Sequence, residues 1–302
     1  MHARVLRYLD EVVRAGSFRR AALQLHVAPT AINRQILELE AELGAPIFDR
    51  IGKRLRLTPL GELVLAHVRQ TLREHKALLG KVEEHRGMRR GEATLAALTG
   101  LASSLLPGVV HEFRRQHAGI VVRVHDLPVA EIVKAVESGA ADLGLAYNVP
   151  EMPAFRMLDS SDWPLGVVVP PAHPLAGQAS VVLDDCVGHP MILPAASMSM
   201  RAVLDEAFAN AAIELAPVVE STSTAMMRKL VLLGSGIALL NVLDVIDERQ
   251  RGVLVWVPLR DERLKSQTLK LFARSRASLP TAAELLAEGI AAQLAALGKT
   301  LH

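Results

Sequence analysis

The sequence predicts an α/β protein in which a small helical head and a long linker helix precede a two-lobed α/β body. One observation is helical periodicity through residues 1–90, interrupted by a glycine turn between two short basic segments. Another is the alternation of short apolar strands and helices over residues 91–302. The third is charge, because residues 1–90 hold 17 Lys and Arg against 10 Asp and Glu, whereas the remaining 212 residues hold 17 against 22. A basic head on an acidic body indicates that the head meets a polyanion.

The composition is typical of a globular protein of the cytoplasm. Hydrophobic residues make up 50% of the 302 residues and charged residues 22%, which is unlike a disordered chain. No stretch approaches the roughly 20 apolar residues of a membrane span. Asp10 and Glu11 interrupt the apolar run that a signal peptide would need. The single cysteine, Cys186, fits a reducing compartment and excludes an intrachain disulfide.

The first 44 residues have the pattern of a helix-turn-helix. Apolar positions recur at helical spacing over residues 2–15, and Gly16 then supplies a C-terminal cap. Ser17 is placed to N-cap a second helix, and Pro29 suits the first turn of a third because it has no N–H to lose. A tight turn between two such helices, with polar residues early on the second, is typical of DNA-binding proteins.

A basic hairpin and a long helix follow. Residues 47–50 and 54–57 alternate apolar and basic side chains around a turn at residues 51–53, which predicts a β-hairpin. Beside a recognition helix, such a hairpin is a wing that reaches phosphates or the minor groove. Thr58 and Pro59 begin a helix with one long apolar stripe, and such a stripe usually packs against a second copy of the chain. The stripe consists of Leu60, Val64, Val68, Leu72, Leu79 and Val82.

Residues 4–66 closely resemble the DNA-binding head of LysR-type transcriptional regulators. The resemblance rests on the blocks GSFRRAALQLHV, NRQILELEAELGAPIFDR and LTPLGE, and it extends more loosely along the whole chain. It implies a winged helix-turn-helix over residues 1–58 and a linker and dimerisation helix over 59–90. Pro29-Thr30 and Asn33 depart from the family pattern, which commonly has Gln-Pro and a later Ser there. The base preference of these positions, at the start of the recognition helix, should therefore not be inferred from relatives.

The side chains expected to contact DNA come from the recognition helix and the wing. Thr30, Asn33 and Arg34 would face the major groove, where Asn can pair with adenine and Arg with guanine. Ser17 and Thr58 can contact phosphates, although capping alone explains them equally well. The alternative for each arginine is a solvated surface charge. The predicted set is Ser17, Pro29, Thr30, Asn33, Arg34, Arg50, Lys53, Arg54 and Thr58.

After a hinge at residues 89–91, the body repeats a strand–helix order twice. This βαβαβ order predicts parallel sheets with helices on both faces. Two such lobes joined by two crossovers form a cleft, the usual place for a small ligand. The body is predicted over residues 91–302, with one lobe at about 91–164 and 269–302 and the other at about 165–268. Strands are predicted at residues 94–98, 120–124, 141–146, 166–169, 218–219 and 269–273, and helices at 103–116, 129–138, 201–211, 225–233 and after Pro280.

The resemblance implies an effector-binding domain, because family members carry a two-lobed domain similar to periplasmic binding proteins, with an effector between the lobes. Three segments match, and each lies where a strand or loop enters a helix, so that N–H groups and hydroxyls can hold a carboxylate. Helix capping explains any one of these hydroxyls equally well, and the methionines also suit an ordinary core. With the Asp126 segment added, the predicted effector-binding residues are Thr99, Gly100, Ser103, Ser104, Asp126, Ser197, Met198, Ser199, Met200, Ser221 and Thr222.

Asp126 departs from the family, since many relatives place Ser or Thr facing the ligand at this point. If the Asp126 carboxylate faces the cleft, an anionic effector becomes less favourable there. The resemblance to the family nevertheless implies that the effector is a small organic acid or an aromatic metabolite.

The sequence favours a regulator over an enzyme. It has no Gly-x-Ser-x-Gly elbow, phosphate-binding glycine loop or His-Glu-x-x-His, and its 11 histidines are scattered, so no catalytic site, metal or cofactor is expected. A transport-type binding protein would fit the body but not the head. A DNA binder whose body only oligomerises, without sensing a ligand, remains open. We therefore expect a sequence-specific transcription regulator, acting on double-stranded DNA as a homodimer or homotetramer, in which a ligand that closes the cleft respaces the heads.

Overall fold

The computed structural model describes residues 3–51, 54–85, 91–275 and 278–299. The chain divides into two compact units, Met1–Arg86 and Gly87–His302. Within the described ranges, no helix combines the length and the apolar character that a membrane crossing needs.

The first unit is a winged helix-turn-helix followed by a long helix, which confirms the predicted fold. Leu9, Val12, Ile32 and Ile36 are fully buried or nearly so and form its core, because each recurs at helical spacing on the inner side of its helix. The elements are α1 (Ala3–Ala15), α2 (Phe18–Leu25), α3 (Pro29–Leu43), β1 (Phe48–Ile51), β2 (Arg54–Leu57) and α4 (Pro59–His85).

Part of the apolar stripe of α4 packs against the head of its own chain, a contact that the sequence did not predict. Val64, Val68 and Leu72 pack into the core of the head in the same chain. Arg69 Nε also donates to Asp10 Oδ1 at 2.7 Å, which ties α4 to α1. The first half of the stripe is therefore not available to a second copy. The side chains of Leu79 and Val82 lie outside the described part of the structure.

The first lobe of the second unit is a five-stranded sheet of order β4-β3-β5-β12-β6. Its strands are β3 (Gly91–Ala97), β4 (Ile120–Asp126), β5 (Leu143–Tyr147), β6 (Phe155–Trp163) and β12 (Gln267–Arg274), and its helices are α5 (Thr99–Ser103), α6 (Leu105–Gln116), α7 (Val129–Ser138) and α11 (Thr281–Lys299). Phe113 of α6 and Leu286 of α11 pack in the core on one face of this sheet. Ile132 and Val136 of α7 pack in a separate cluster on the other face.

The second lobe is a five-stranded sheet of order β11-β7-β10-β8-β9. Its strands are β7 (Leu165–Val169), β8 (Met191–Pro194), β9 (Pro217–Ser221), β10 (Ile237–Asn241) and β11 (Val255–Pro258), and its helices are α8 (Ser199–Asn210), α9 (Thr224–Leu232) and α10 (Ile246–Gln250). The chain crosses between the lobes twice, at Pro164 and between β11 and β12.

Both sheets are mixed, so the expectation of purely parallel sheets was wrong. β3 runs parallel to β4 and β5, but β12 is antiparallel to β5 and β6 because it returns from the other lobe. In the second lobe, β8 is parallel to β9 and β10, whereas β7 is antiparallel to β10 and β11. The mixed sheets still place the carboxyl ends of β3, β4, β8 and β9 next to helix starts, which is where small ligands bind in α/β folds.

Candidate functional site

The outer face of α3 is the candidate DNA-reading surface of the head. Pro29 occupies the first turn of α3, and Pro29, Thr30 and Arg34 are exposed while Ile32 and Ile36 are buried on the opposite side. The Arg34 side chain is 78% exposed, and its Nε lies 3.2 Å from Glu38 Oε1 one turn later. An exposed pair of this kind is weak, so the guanidinium can exchange this carboxylate for another partner.

The remaining predicted residues of the recognition helix and wing are less exposed or lie outside the described residues. Asn33 is half-buried and already has a contact within the chain. Arg50 and Arg54 lie on the paired strands β1 and β2, opposite Leu55 and Ile51. The side chains of Arg50 and Arg54, and the whole of Lys53, lie outside the described part of the structure.

Ser17 and Thr58 both act as helix caps. Ser17 Oγ accepts a hydrogen bond from the Arg20 backbone N–H at 3.2 Å, at the start of α2. Thr58 is buried, donates from Oγ1 to the carbonyl of Pro46 at 2.8 Å and accepts from the Gly61 N–H at 2.9 Å. The capping alternative therefore accounts for both residues, and the Thr58 hydroxyl is fully used inside the chain.

Glu40 is a positioning residue that the sequence reasoning missed. Its Oε1 accepts from the backbone N–H groups of Ile47 at 2.7 Å and Phe48 at 3.2 Å. These bonds fix the start of the wing to the last turns of α3. A carboxylate that accepts a hydrogen bond from a backbone N–H seven residues later produces no recognisable local sequence pattern. Glu40 does, however, lie inside the NRQILELEAELGAPIFDR block.

In the first lobe of the body, the predicted effector residues Thr99 and Asp126 lie side by side. They follow β3 and end β4, and Thr99 Oγ1 donates to Asp126 Oδ1 at 2.5 Å. Asp126 is exposed and Thr99 is half-buried. The fold thus brings together a carboxylate and a hydroxyl that are 27 residues apart in the chain.

In the second lobe, the predicted effector residues lie in and around the loops that follow β8 and β9. Pro194 and Ser221 are neighbours at the ends of these strands, and the Ala195 N–H donates to the Ser221 carbonyl at 2.9 Å. Ser197, Ser199 and Thr222 are exposed here and Met198 is half-buried. The register thus brings the two predicted segments together.

Arg201 stabilises this arrangement and was not predicted. Its Nη1 donates to the Pro194 carbonyl at 3.0 Å and pairs with Glu220, while its Nε lies 2.6 Å from Asp205 Oδ1. These two carboxylates raise the pKa of the guanidinium. The arginine therefore acts as a fully paired cross-link between α8, β8 and β9.

Four predicted effector-binding residues form contacts within the chain. Ser104 Oγ accepts from the Ile246 N–H at 3.2 Å, and Ser103 Oγ donates to the Gly100 carbonyl at 3.1 Å and lies 3.4 Å from Arg228 Nη2. Ser221 Oγ accepts from the Ser223 N–H at 3.0 Å in a local turn. Met200 is buried in the core. Local hydrogen bonding and core packing, the alternatives to ligand binding, therefore account for the observed contacts of these four side chains.

A buried polar cluster joins the two lobes behind these residues. Gly100 packs so closely that a Cβ there would lie 2.0 Å from Asp244 Oδ1 and 3.3 Å from Thr224 Oγ1. Arg228 donates from Nε to Glu248 Oε1 at 2.9 Å and from Nη1 to the Asp244 carbonyl. All of these polar side chains are buried or nearly so. The lobes are thus held together by polar contacts as well as by the apolar core.

Burial shifts the acid–base properties of this cluster. It raises the pKa of the Asp244 carboxyl to about 7, although Arg228 and a hydrogen bond from Asn241 act in the opposite direction. Burial and the nearby Asp244 also raise the pKa of Tyr147. Within the described residues, Asp244 Oδ2, Thr224 Oγ1 and the Tyr147 hydroxyl have no hydrogen-bond partner. Among the same residues, no three or more His, Cys, Asp or Glu side chains are grouped so that they could hold a metal ion.

Comparison with known proteins covers both units. Residues 3–62 match the family described as bacterial regulatory helix-turn-helix protein, lysR family, and residues 86–295 match the LysR substrate binding domain. The chain is 28% identical over 256 residues to the HTH-type transcriptional regulator CysB of Burkholderia cenocepacia, covering 84% of this chain and 82% of that one. It is 27% identical over 304 residues to the hydrogen peroxide-inducible genes activator of Pectobacterium carotovorum, covering 100% and 99% of the two chains.

A solved structure has the same fold. A full-length variant of OxyR from Pseudomonas aeruginosa aligns with a TM-score of 0.75 and 22% identity, over 96% of this chain and 94% of that one. Both the head and the two-lobed body are therefore shared with a full-length structure.

Proposed function

Because this chain belongs to the LysR family of bacterial transcription regulators, we propose which of its residues read DNA and which hold the effector. The family supplies the general activity, a DNA-binding regulator with an effector-binding domain. The observation that carries the finer proposal is the exposed face of α3, opposite Ile32 and Ile36, on a head that is more basic than the rest of the chain.

Thr30, Asn33 and Arg34 read bases in this proposal. Positions three and four residues apart share one face of a helix, so these side chains can enter one groove together. Asn pairs with adenine and Arg with guanine in the major groove. Pro29 pre-organises the first turn without needing a hydrogen bond for its nitrogen.

The wing and the α2 cap contact the DNA backbone. Arg50, Lys53 and Arg54 supply positive charge on or beside the β1–β2 hairpin, suited to phosphates or the minor groove. Ser17 lies at the N-terminus of α2, where backbone N–H groups favour a phosphate. Thr58 is left out of this set because its hydroxyl is buried and doubly bonded.

The effector binds between Thr99 and Asp126 on one lobe and Ser197, Ser199 and Thr222 on the other. Exposed hydroxyls at the starts of α8 and α9 suit a carboxylate or hydroxyl of the ligand. The Asp126 carboxylate repels negative charge, so a ligand that also carries a negative charge at the Asp126 end is disfavoured. A small organic acid or an aromatic metabolite with one acidic group fits this arrangement.

Thiol oxidation is the alternative signal, suggested by the name of the peroxide-inducible relative. This chain has one cysteine, which is buried, and burial raises the pKa of the Cys186 thiol to about 12. A thiol with so little thiolate is a poor nucleophile. We therefore assign the signal to ligand binding in the cleft.

We further propose that the regulator acts as a homodimer or homotetramer in the cytoplasm. The part of α4 beyond Leu72 is the segment available for pairing two chains, since the earlier stripe packs in the head. Ligand-dependent closure of the lobes would then change the spacing of the heads.

The test is selection of bound sequences from a random double-stranded DNA pool, followed by footprinting with a panel of organic acids and aromatic metabolites. Enrichment of one motif, and a change of the footprint with at least one compound, are expected. Thr99→Val should abolish that change and leave the motif intact. Binding to DNA without sequence preference would support a nucleoid-type DNA binder instead. A footprint that no compound of the panel changes would support a body that only oligomerises.

A further inference from the structure

A second cavity of about 500 Å³ lies in the body, away from the proposed effector residues. Its walls come from the end of β6 and from α11 in the first lobe, and from the end of β11 in the second. None of the effector-binding residues proposed above lines it. Its volume falls within the range of about 300–1,000 Å³ that is usual for small-molecule sites.

Both tryptophans of the chain, Trp163 and Trp256, line this cavity. Trp163 Nε1 donates to Ser161 Oγ at 2.9 Å, and Trp256 Nε1 donates to the Leu240 carbonyl at 3.1 Å. Because both indole N–H groups are satisfied, the rings offer mainly aromatic carbon to an occupant. The rest of the apolar wall includes Leu259, Leu294 and Ala295.

The position of Trp256 is fixed by its neighbours. Gly166 of β7 leaves the space that the ring occupies, since a Cβ at Gly166 would lie 2.4 Å from Trp256 Cε2. The Arg249 guanidinium lies over the same ring, 5.6 Å from its centroid. Trp163 is 3% and Trp256 7% exposed, so each ring offers an occupant a small, rigid aromatic edge, and a rigid edge loses little entropy when a ligand packs against it.

The charged residues of the cavity are Asp159, Asp162 and Arg260. Asp162 Oδ1 accepts from the Thr268 hydroxyl at 2.6 Å, which leaves its charge intact. Throughout the described ranges, none of these three side chains forms an ion pair. Two carboxylates against one guanidinium give the lining itself a net negative charge, and a cationic group is favoured beside Asp159 and Asp162 rather than beside Trp256, over which Arg249 lies.

We propose that this cavity is a second ligand site, which takes a small aromatic amine. The ring packs against the two tryptophans, and the ammonium group lies near Asp159 and Asp162. Because the walls belong to both lobes, an occupant stabilises the lobe arrangement that forms the cavity and thereby influences the regulator.

The test is a titration of the full chain with phenethylamine, followed by intrinsic tryptophan fluorescence. The chain has only two tryptophans and both line the cavity, so the emission reports directly on its occupation. A saturable change is expected with phenethylamine. 3-Phenylpropionate has the same ring with the opposite charge, and it should bind more weakly. No saturable change with phenethylamine, or tighter binding of 3-phenylpropionate, overturns the proposal.

Variants of α11 locate the ligand. Ala295 and Ala296 are neighbouring exposed residues, and only Ala295 lines the cavity. Ala295→Leu should fill the cavity and abolish the response, whereas the matched Ala296→Leu should retain it. An equal response in both variants would contradict the assignment.

Two further variants test the charge and the site. Asp159→Asn should weaken phenethylamine binding by about two- to fivefold, as expected for a partly exposed charge pair, and should not weaken 3-phenylpropionate. Thr99→Val in the effector cleft should leave the phenethylamine titration unchanged. Loss of the response in Thr99→Val would place the amine in the effector cleft and reject a second site.

Discussion

Gly61 of α4 lies directly against the carbonyl oxygen of Ile47, so closely that a Cβ at position 61 would be 2.1 Å from that oxygen. The same turn holds the Thr58 cap, whose hydroxyl bonds to the Pro46 carbonyl and the Gly61 N–H. The long helix therefore starts from a fixed contact with the segment that leads into the wing. This contact gives a physical reason for the glycine and threonine of the LTPLGE block.

Gly61→Ala should destabilise the head by about 1–3 kcal/mol, because the added methyl group meets backbone rather than a movable side chain. The measurement is the unfolding of the head in denaturant, together with DNA binding. Gly108→Ala in α6 is the matched control, since nothing lies within 4 Å of a Cβ there. The control should stabilise the body by up to about 1 kcal/mol. An unchanged free energy of unfolding of the head in Gly61→Ala would show that the segment around Ile47 can move away from α4 without loss of stability.

Arg34→Ala should weaken specific DNA binding by about 1–3 kcal/mol and relax the preference at one base position. Its pair with Glu38 is exposed, so folding stability should change by less than about 0.5 kcal/mol. Arg115→Ala is the matched control, because Arg115 is 69% exposed and forms a similar helical pair with Glu112. Competition binding with single-base variants of the selected motif is the measurement. An unaltered base preference in Arg34→Ala would remove Arg34 from the reading set.

The head could be predicted from the sequence because its signals are local. Ser17 caps α2, Pro29 opens α3, and Gly16 and Gly44 end helices with positive φ, all as short-range patterns indicate. Glu40 was missed because its partners, Ile47 and Phe48, belong to a different element.

The body was predicted less completely because its organisation depends on long-range pairing. Strands β8 and β10 are buried runs of four and five residues, and such runs resemble pieces of buried helix when only periodicity is considered. The direction of β12 depends on how the chain returns from the second lobe, which no local pattern encodes. Asp244 and Arg228 likewise lie in ordinary helical or turn sequence, and their partnership appears only when α9 packs against the segment that follows β10 in the second lobe.

Hydrogen peroxide should not change the DNA binding of this regulator through its thiol. Cys186 is buried, its Sγ lies 3.8 Å from the Val182 carbonyl, and burial raises its pKa to about 12, so almost no thiolate exists at neutral pH. The mass of the peptide that contains Cys186 and the operator binding should be the same before and after treatment, whereas exposed methionines such as Met226 can gain oxygen. Cys186→Ser is the control and should behave like the parent chain. A mass increase that is absent in Cys186→Ser, accompanied by altered DNA binding, would restore a redox role.

The buried Asp244 carboxyl should make the stability of the body depend on pH. Its pKa is raised to about 7 in the folded chain, mainly by burial, from an ordinary value of 3.8. Between these two values the folded state holds a proton that the unfolded state has released, so stability falls as pH rises through this window. The loss of stability is complete at pH values above the pKa of the folded chain, and it amounts to at most about 4 kcal/mol.

Asp244→Asn should remove this dependence, because an amide has no proton to lose. The measurement is the free energy of unfolding of the body at several pH values from about 4 to 8, the window in which the folded and unfolded carboxyls differ in protonation. Asp247→Asn is the matched control, since its carboxylate is 61% exposed and lies three residues later. The control should keep the parent profile, with stability falling towards neutral pH. Parallel profiles for Asp244→Asn and the parent chain would show that Asp244 is ionised in the folded protein, with the Arg228 charge outweighing burial.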